Sequence, residues 1–356
     1  MSLPFQPPLE PMLAKLSDEA ALPAGDGWLF EPKWDGFRTL VFKDGKDVYL
    51  QSRDGKPLAR YFPEVVEALS ANLPDRCILD GELTLAKNGR LEFDLLQQRL
   101  HPAKSRVDLL AKETPCAYVA WDLLALGDED LREKKQSERR AKLVEVLAAA
   151  KPPVHVTPAT FDRELATDWF NRFEGAGLDG VIAKPPDGAY LPGKRAWLKV
   201  KHHRTAECAV PGFRWFKNGK GTLVGSLVLA LYDGDQLLPV GVCGSFSRAR
   251  RAELLKELEP YRQTPEDPHP WKEWKEAITD EPETFGNRWN AGKDMSWEPL
   301  KLGLVAEVSY DHMQGGRRFR HVAQFVRWRT DKAPQDCRFE QLEVTPPAEL
   351  MKLFGA

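Results

Sequence analysis

Cysteine is scarce and scattered along this chain: Cys77, Cys116, Cys208, Cys243 and Cys337 stand far apart, with no C-x-x-C pair. That dispersal argues against a zinc module of paired thiolates and against a disulfide framework, and it fits a reducing, cytoplasmic setting. Long apolar runs are missing, so no segment is expected to span a membrane. Residues 1–15 are proline-rich and lack the basic start and apolar core of a signal peptide. Net charge is nearly absent: 51 Lys and Arg against 53 Asp and Glu leave −2, which alone says nothing for a polyanionic partner. Internal repeats are missing too, and so is any low-complexity linker.

What is present is an ordinary globular composition, 42% hydrophobic and 29% charged over 356 residues, enough for two buried cores. The charge is unevenly placed. Residues 194–220 carry eight Lys or Arg against Glu207 alone, together with His202 and His203, and residues 317–332 carry six more against Asp331 alone. Two such stripes suit a face that follows a phosphate backbone; a merely solvated charged surface is the alternative.

Up to about residue 203 the pattern predicts mixed helix and strand. Strands over 37–42 and 48–52 flank Asp44-Gly45, a hairpin turn pair, and Arg53 ends the second. Pro63 opens a helix to Leu73 with Val65, Val66, Leu69 and Leu73 on one face. A strand over 77–85 places Ile78, Asp80 and Glu82 on one face and Leu79, Gly81 and Leu83 on the other. Further strands are predicted over 118–126 and 181–183, and helices over 134–150 and 168–174. Trp197, Lys199 and Lys201 alternate with Leu198 and Val200, so both lysines share a side. From residue 205, strands over 224–232, 237–242, 304–310 and 321–328, with one helix over 248–258, predict a small β-barrel. Residues 264–299 read as a long irregular connection. The expected architecture is α+β, with a first domain over 1–204 built on antiparallel sheets and a second over 205–356.

The residues able to do chemistry fall in an ordered series. Lys33-Trp34-Asp35-Gly36 with Arg38 comes first, followed by Asp80-Gly81-Glu82 and then Trp121-Asp122. Asp179-Gly180-Val181-Ile182-Ala183-Lys184, Lys199-Val200-Lys201 and Arg329-Thr330-Asp331-Lys332 complete it. A lone K-x-D-G occurs by chance in about one chain of this length in twenty or thirty. The whole series, over residues 31–332, is far more specific. It resembles the covalent nucleotidyltransferases, the superfamily of DNA ligases, RNA ligases and mRNA capping enzymes. Within it the series is most similar to the compact bacterial ATP-dependent DNA ligases, the ligase C type and the ligase module of ligase D. The four-cysteine zinc site of NAD-dependent ligases is missing, and no long N-terminal domain of the replicative eukaryotic kind is expected.

The resemblance implies a nucleotidyltransferase (adenylation) domain followed by an OB-fold domain. It implies ATP and Mg2+ or Mn2+ as cofactors, and nicked double-stranded DNA as partner. It further implies a monomer in the bacterial cytoplasm, at the nucleoid, serving DNA repair. The implied reaction has three steps: adenylation of Lys33 by ATP, AMP transfer to the 5′-phosphate of a nick, and attack by the 3′-hydroxyl with loss of AMP. A lysine of free pKa about 10.4 needs neighbouring cations to disfavour its protonated form, and Lys199 and Lys201 would supply them. The same two lysines would neutralise the α-phosphate. Asp35 and Gly36 fix the loop. Glu82, with Asp80 secondary, and Asp179, where relatives usually carry glutamate, are the implied holders of the metal or ribose hydroxyls. Trp121, where most relatives carry phenylalanine, is implied to stack on adenine. Glu31 would accept from the adenine 6-amino group, and guanine presents a carbonyl there, so ATP is preferred to GTP. Arg38 would bind the reacting phosphates and Arg53 the 5′-phosphate of the nick, with Lys184 a further phosphate or substrate neighbour. Arg329 and Lys332 would orient the departing pyrophosphate when the second domain closes. An RNA ligase, a GTP capping enzyme and a catalytically inactive OB-type nucleic-acid binder stay open as alternatives at this level.

Overall fold

The structure, a computed structural model, describes residues 2–17, 21–202, 204–264, 267–271, 296–311, 313–314 and 317–342. Two compact units divide them, one reaching His202 and the other lying within residues 203–344. The stretch 264–299, read above as an irregular connection, lies for the most part outside the described residues.

Two large sheets build the first unit, which also holds a two-stranded one of Ala86–Lys87 and Arg90–Leu91. The larger has the order Val154–Val156, Ala117–Leu126, Arg76–Thr84, Phe37–Asp44 and Asp47–Ser52, with Glu129–Asp130 paired to the side. The smaller has the order Leu13–Leu16, Arg195–Val200, Val181–Lys184 and Leu29–Pro32. Each is antiparallel except for one outer pair, Val154–Val156 with Ala117–Leu126 in the larger and Leu13–Leu16 with Arg195–Val200 in the smaller.

Arg76–Thr84 is central and buried on both faces, and its alternation decides what each face does. Leu79 and Leu83 pack with Val65 and Leu69 of the helix Pro63–Asn72, forming one core. Ile78 packs the other way, with Leu40, Phe42, Met12, Tyr190 and Trp197, into a core shared with the smaller sheet. Asp80 and Glu82 emerge on that second face, between the two sheets.

The hairpin of Phe37–Asp44 and Asp47–Ser52 turns through Gly45 at φ 60°, as the Asp-Gly pair predicts. The helix Gln136–Val146 is shorter than predicted, and the one placed over 168–174 is Arg163–Arg172. Asp162 caps it, accepting from the Glu164 and Leu165 amides at 2.8 and 3.3 Å, a start signal that the sequence reading passed over.

In the second unit Arg204–Trp215, Val224–Asp233, Gln236–Gly244, Ala323–Trp328 and Val305–Tyr310 pair in turn, and the last pairs back with the first. The strands close into a ring, and Phe213, Leu227, Val228, Val240 and Val308 are among the buried residues of this unit's core. The predicted helix is present as Arg248–Leu258, with Ser247 accepting from the Arg250 amide at 3.2 Å. Arg204–Trp215, 12 residues long, was not foreseen as a strand. Its pairing shifts register between Ala209 and Gly212, where the Pro211-Gly212 step lies.

All five cysteines are buried free thiols. Burial pushes Cys77, Cys116, Cys243 and Cys337 up to about 12 and raises Cys208 well above the ordinary thiol value. No described helix is long and apolar enough to cross a membrane.

Candidate active site

Lys33 directly follows the strand Leu29–Pro32 and extends its ladder by one step. The Lys33 amide donates to the Gly180 carbonyl at 2.8 Å, and the Asp179 amide donates to the Lys33 carbonyl at 2.9 Å. Only glycine suits position 180: φ is +123°, and a Cβ would lie 2.0 Å from the Val200 carbonyl oxygen. The Lys33 ammonium donates to Asp179 Oδ2, the oxygen that also holds Lys201 Nζ at 2.9 Å. Lys199 stands opposite Ile182 in the neighbouring strand. Burial, then Lys201 and Lys33, push its pKa down. Lys33, Asp179, Lys199 and Lys201 therefore come together, although the sequence places Lys33 146 residues before Asp179.

Gly36 brings the larger sheet to the same place. A Cβ there would lie 2.1 Å from the Leu83 carbonyl oxygen and 2.8 Å from Glu82 Cγ, so the Lys33 loop rests directly on the strand bearing Glu82. Glu82 is buried, and burial raises its pKa to about 8 against the opposing charges of Lys33 and Arg38. Asp80 behaves differently. Arg38 grips it with two hydrogen bonds, Nε to Oδ1 at 3.0 Å and Nη2 to Oδ2 at 2.6 Å, and Tyr190 donates to Oδ2 at 2.8 Å. Asp80 thus fixes the Arg38 guanidinium, which lies 5.4 Å from the ring centroids of both Trp121 and Trp197.

The other end of the site is built around Glu31. It is buried, and Lys184, itself 1% exposed, donates to its Oε2 at 2.7 Å. Burial raises the Glu31 pKa, with Lys184 and Arg140 opposing. Oε1 has no hydrogen-bond partner. Lys184 Nζ also lies 4.5 Å from the Trp197 ring centroid, so this lysine is a counter-ion to Glu31 in a dry, aromatic setting. Trp121 lies between two apolar clusters, and its buried indole Nε1 is also unpartnered. Thr157 ties this end to the nucleophile's loop: its hydroxyl accepts from Trp34 Nε1 at 2.8 Å, and its carbonyl accepts from Arg140 Nη2 at 2.5 Å. Sequence reasoning placed Trp197 beside Lys199 and Lys201 but gave it no role, and it missed Arg140, Thr157 and Tyr190, which only the fold brings to these motifs.

Arg53 is exposed in the turn after Asp47–Ser52, apart from these contacts. In the second unit Glu207 accepts from both Arg329 and Lys332, and Arg329 also forks onto Asp331 with two bonds of 2.8 Å. Arg327 pairs with Glu307 at 2.7 Å and Arg317 with Asp233 at 3.5 Å. The stretch 317–332 is therefore not the bare cationic stripe that its sequence suggests, because the neighbouring strands bring acids to it.

Among the described residues no three His, Cys, Asp or Glu side chains converge as a ready metal cage. Glu82 and Asp179 both face the Lys33 charge and are hard oxygen donors. Mg2+ usually takes one or two carboxylates from a protein and fills its shell with water and phosphate oxygens, so this donor set fits it.

Residues 11–201 match the ATP dependent DNA ligase domain, and residues 220–332 match the ATP dependent DNA ligase C terminal region. The chain is 51% identical to DNA ligase C2 of Mycolicibacterium smegmatis over 97% of each protein. It is also 51% identical to DNA ligase C of Mycobacterium tuberculosis over 96% of each. The multifunctional non-homologous end joining protein LigD of Mycobacterium bovis is 34% identical over 92% of this chain and 39% of its own length. Among solved structures a Lig E DNA ligase shares the fold, with a TM-score of 0.56 and 18% identity over 89% of this chain and 98% of that one. The two units thus have the nucleotidyltransferase and OB-fold architecture. The chain belongs to the ATP-dependent DNA ligases, which use ATP and a divalent metal to seal nicked DNA through a covalent lysyl-AMP intermediate.

Proposed function

We propose that Lys33 is the residue that carries AMP. The observation behind this reading is its seat: main-chain bonds on both sides, its ammonium on Asp179, Lys201 on the same carboxylate and Glu82 close by. The Lys33 ammonium gives its proton to solvent, with the neighbouring Lys199 and Lys201 charges favouring the loss, and the amine attacks the α-phosphorus of ATP. An N–P bond forms as the bond to pyrophosphate breaks, with Lys199 and Lys201 neutralising the charge that develops. Glu82 and Asp179 would hold the divalent cation, Mg2+ or Mn2+, which when bound would supply further neutralisation of the phosphates. Arg329 and Lys332 orient the leaving pyrophosphate. A 5′-phosphate oxygen of the nick, bound by Arg53, then takes the AMP and frees Lys33. Finally the 3′-hydroxyl attacks that 5′-phosphorus and AMP leaves.

In this reading residues 1–204 form the adenylation module and 205–356 the OB-fold module. The enzyme works as a monomer on nicked duplex DNA in the bacterial cytoplasm, at the nucleoid, and serves repair. The test is intact mass after incubation with ATP and Mg2+. Wild type should gain one AMP, and Lys33→Ala, soluble and folded, should gain none. An adduct that persists in Lys33→Ala would move the nucleophile elsewhere.

A further inference from the structure

Helix Gln136–Val146 carries two adjacent arginines with different fates. Arg139 is fully buried and spends its donors within the fold: on Asp122, on Gln136, and on the carbonyls of Lys134 and Gly188. Arg140 is anchored by Nη2 on the Thr157 carbonyl at 2.5 Å, but its Nη1 is buried and has no partner. That nitrogen lies 3.9 Å from Glu31 Oε1, which is also buried and unpartnered. The separation exceeds a hydrogen bond, so a donor and an acceptor stand side by side with neither satisfied. Buried polar atoms rarely stay so in a resting fold, and two adjacent ones of opposite kind describe what should bind them. The complement is an edge with a donor beside an acceptor.

Adenine presents such an edge, its 6-amino group beside the lone pair of N1. Guanine presents the reverse, a 6-carbonyl beside an N1–H. We propose that Arg140 is a specificity-determining residue that donates from Nη1 to adenine N1, while Glu31 Oε1 accepts from the 6-amino group. This rests on the reading of Glu31 as the residue facing the base. Lys184 on Oε2 turns the other Glu31 oxygen away from that task, and the Thr157 carbonyl holds the guanidinium in place from behind.

Self-adenylation of the full chain with nucleotide analogues separates the two contacts. 1-Deaza-ATP keeps the amino group and replaces N1 with C–H; purine riboside triphosphate keeps N1 and lacks the amino group; 7-deaza-ATP alters neither and serves as control. Wild type should lose about ten- to hundredfold in kcat/KM for 1-deaza-ATP relative to ATP, the cost of an unpaired buried donor. Arg140→Met should use ATP and 1-deaza-ATP alike, yet still discriminate against purine riboside triphosphate, which reports on Glu31. Equal use of ATP and 1-deaza-ATP by the wild-type enzyme overturns the proposal and leaves Arg140 as a counter-ion of Glu31. That comparison needs no variant, so a poorly folding Arg140→Met cannot blur it. Equal use of ATP and purine riboside triphosphate with 1-deaza-ATP still rejected would instead remove Glu31 from the base and leave Arg140 there.

Discussion

Lys33 and Asp179 hold each other twice, once through the main chain at 2.9 Å and once through ammonium and carboxylate. The first contact sets where the lysine sits; the second sets where its nitrogen points. Asp179→Asn preserves the shape and removes the charge that steadies Lys33 and Lys201. We expect self-adenylation to fall about a hundredfold with little change in Tm. A loss of less than about threefold would mean that the backbone contact alone positions the amine.

Gly180 tests how closely the strands approach. With φ at +123° and the Val200 carbonyl in the way, Gly180→Ala should cost about 2–4 kcal/mol in denaturant unfolding. Gly127→Ala is the control: its φ is also positive, but nothing lies within 4 Å, so about 1 kcal/mol is expected. Equal costs at both sites would assign the effect to φ and not to the approach.

Glu82 predicts a pH-dependent stability difference. Its pKa rises from the ordinary 4.5 to about 8 in the fold, so the folded state keeps a proton that the unfolded chain loses. This group's contribution therefore falls as pH rises from about 4.5 to about 8 and is level above. Glu82→Gln removes it. The variant should melt higher than wild type at pH 8.5, with the gap closing toward pH 5, while its adenylation is lost. A gap of constant size across that range would show that Glu82 does not titrate there.

The second unit predicts a separation of steps. If Arg329 serves pyrophosphate departure, Arg329→Ala should lose about a hundredfold or more in self-adenylation, yet seal a nick already carrying 5′-adenylate. Arg53→Ala should do the reverse. Should Arg329→Ala impair both steps equally, its role is to hold DNA throughout.

Local signals carried much of the fold. Asp44-Gly45 announces its hairpin, Pro63 its helix, and the alternation around Asp80 and Glu82 gives the face both acids occupy. What stayed hidden depends on distant pairing. Nothing near Glu207 in sequence tells that it would sit on Arg329 and Lys332, and the register shift inside Arg204–Trp215 between Ala209 and Gly212 is defined only by its partner strand. Arg140 was invisible for a related reason: its value lies in one unsatisfied nitrogen, and its neighbour Arg139 reads the same in sequence.

The sealed thiols have a practical consequence. Because every cysteine is buried and burial raises all five thiols well above their ordinary value, almost no thiolate is exposed to an electrophile at neutral pH. The native chain is therefore a blank background for maleimide chemistry. One cysteine introduced on the surface of each unit would take a fluorophore selectively, so the two units could be watched against each other through a catalytic cycle without first stripping the protein of its own sulfur.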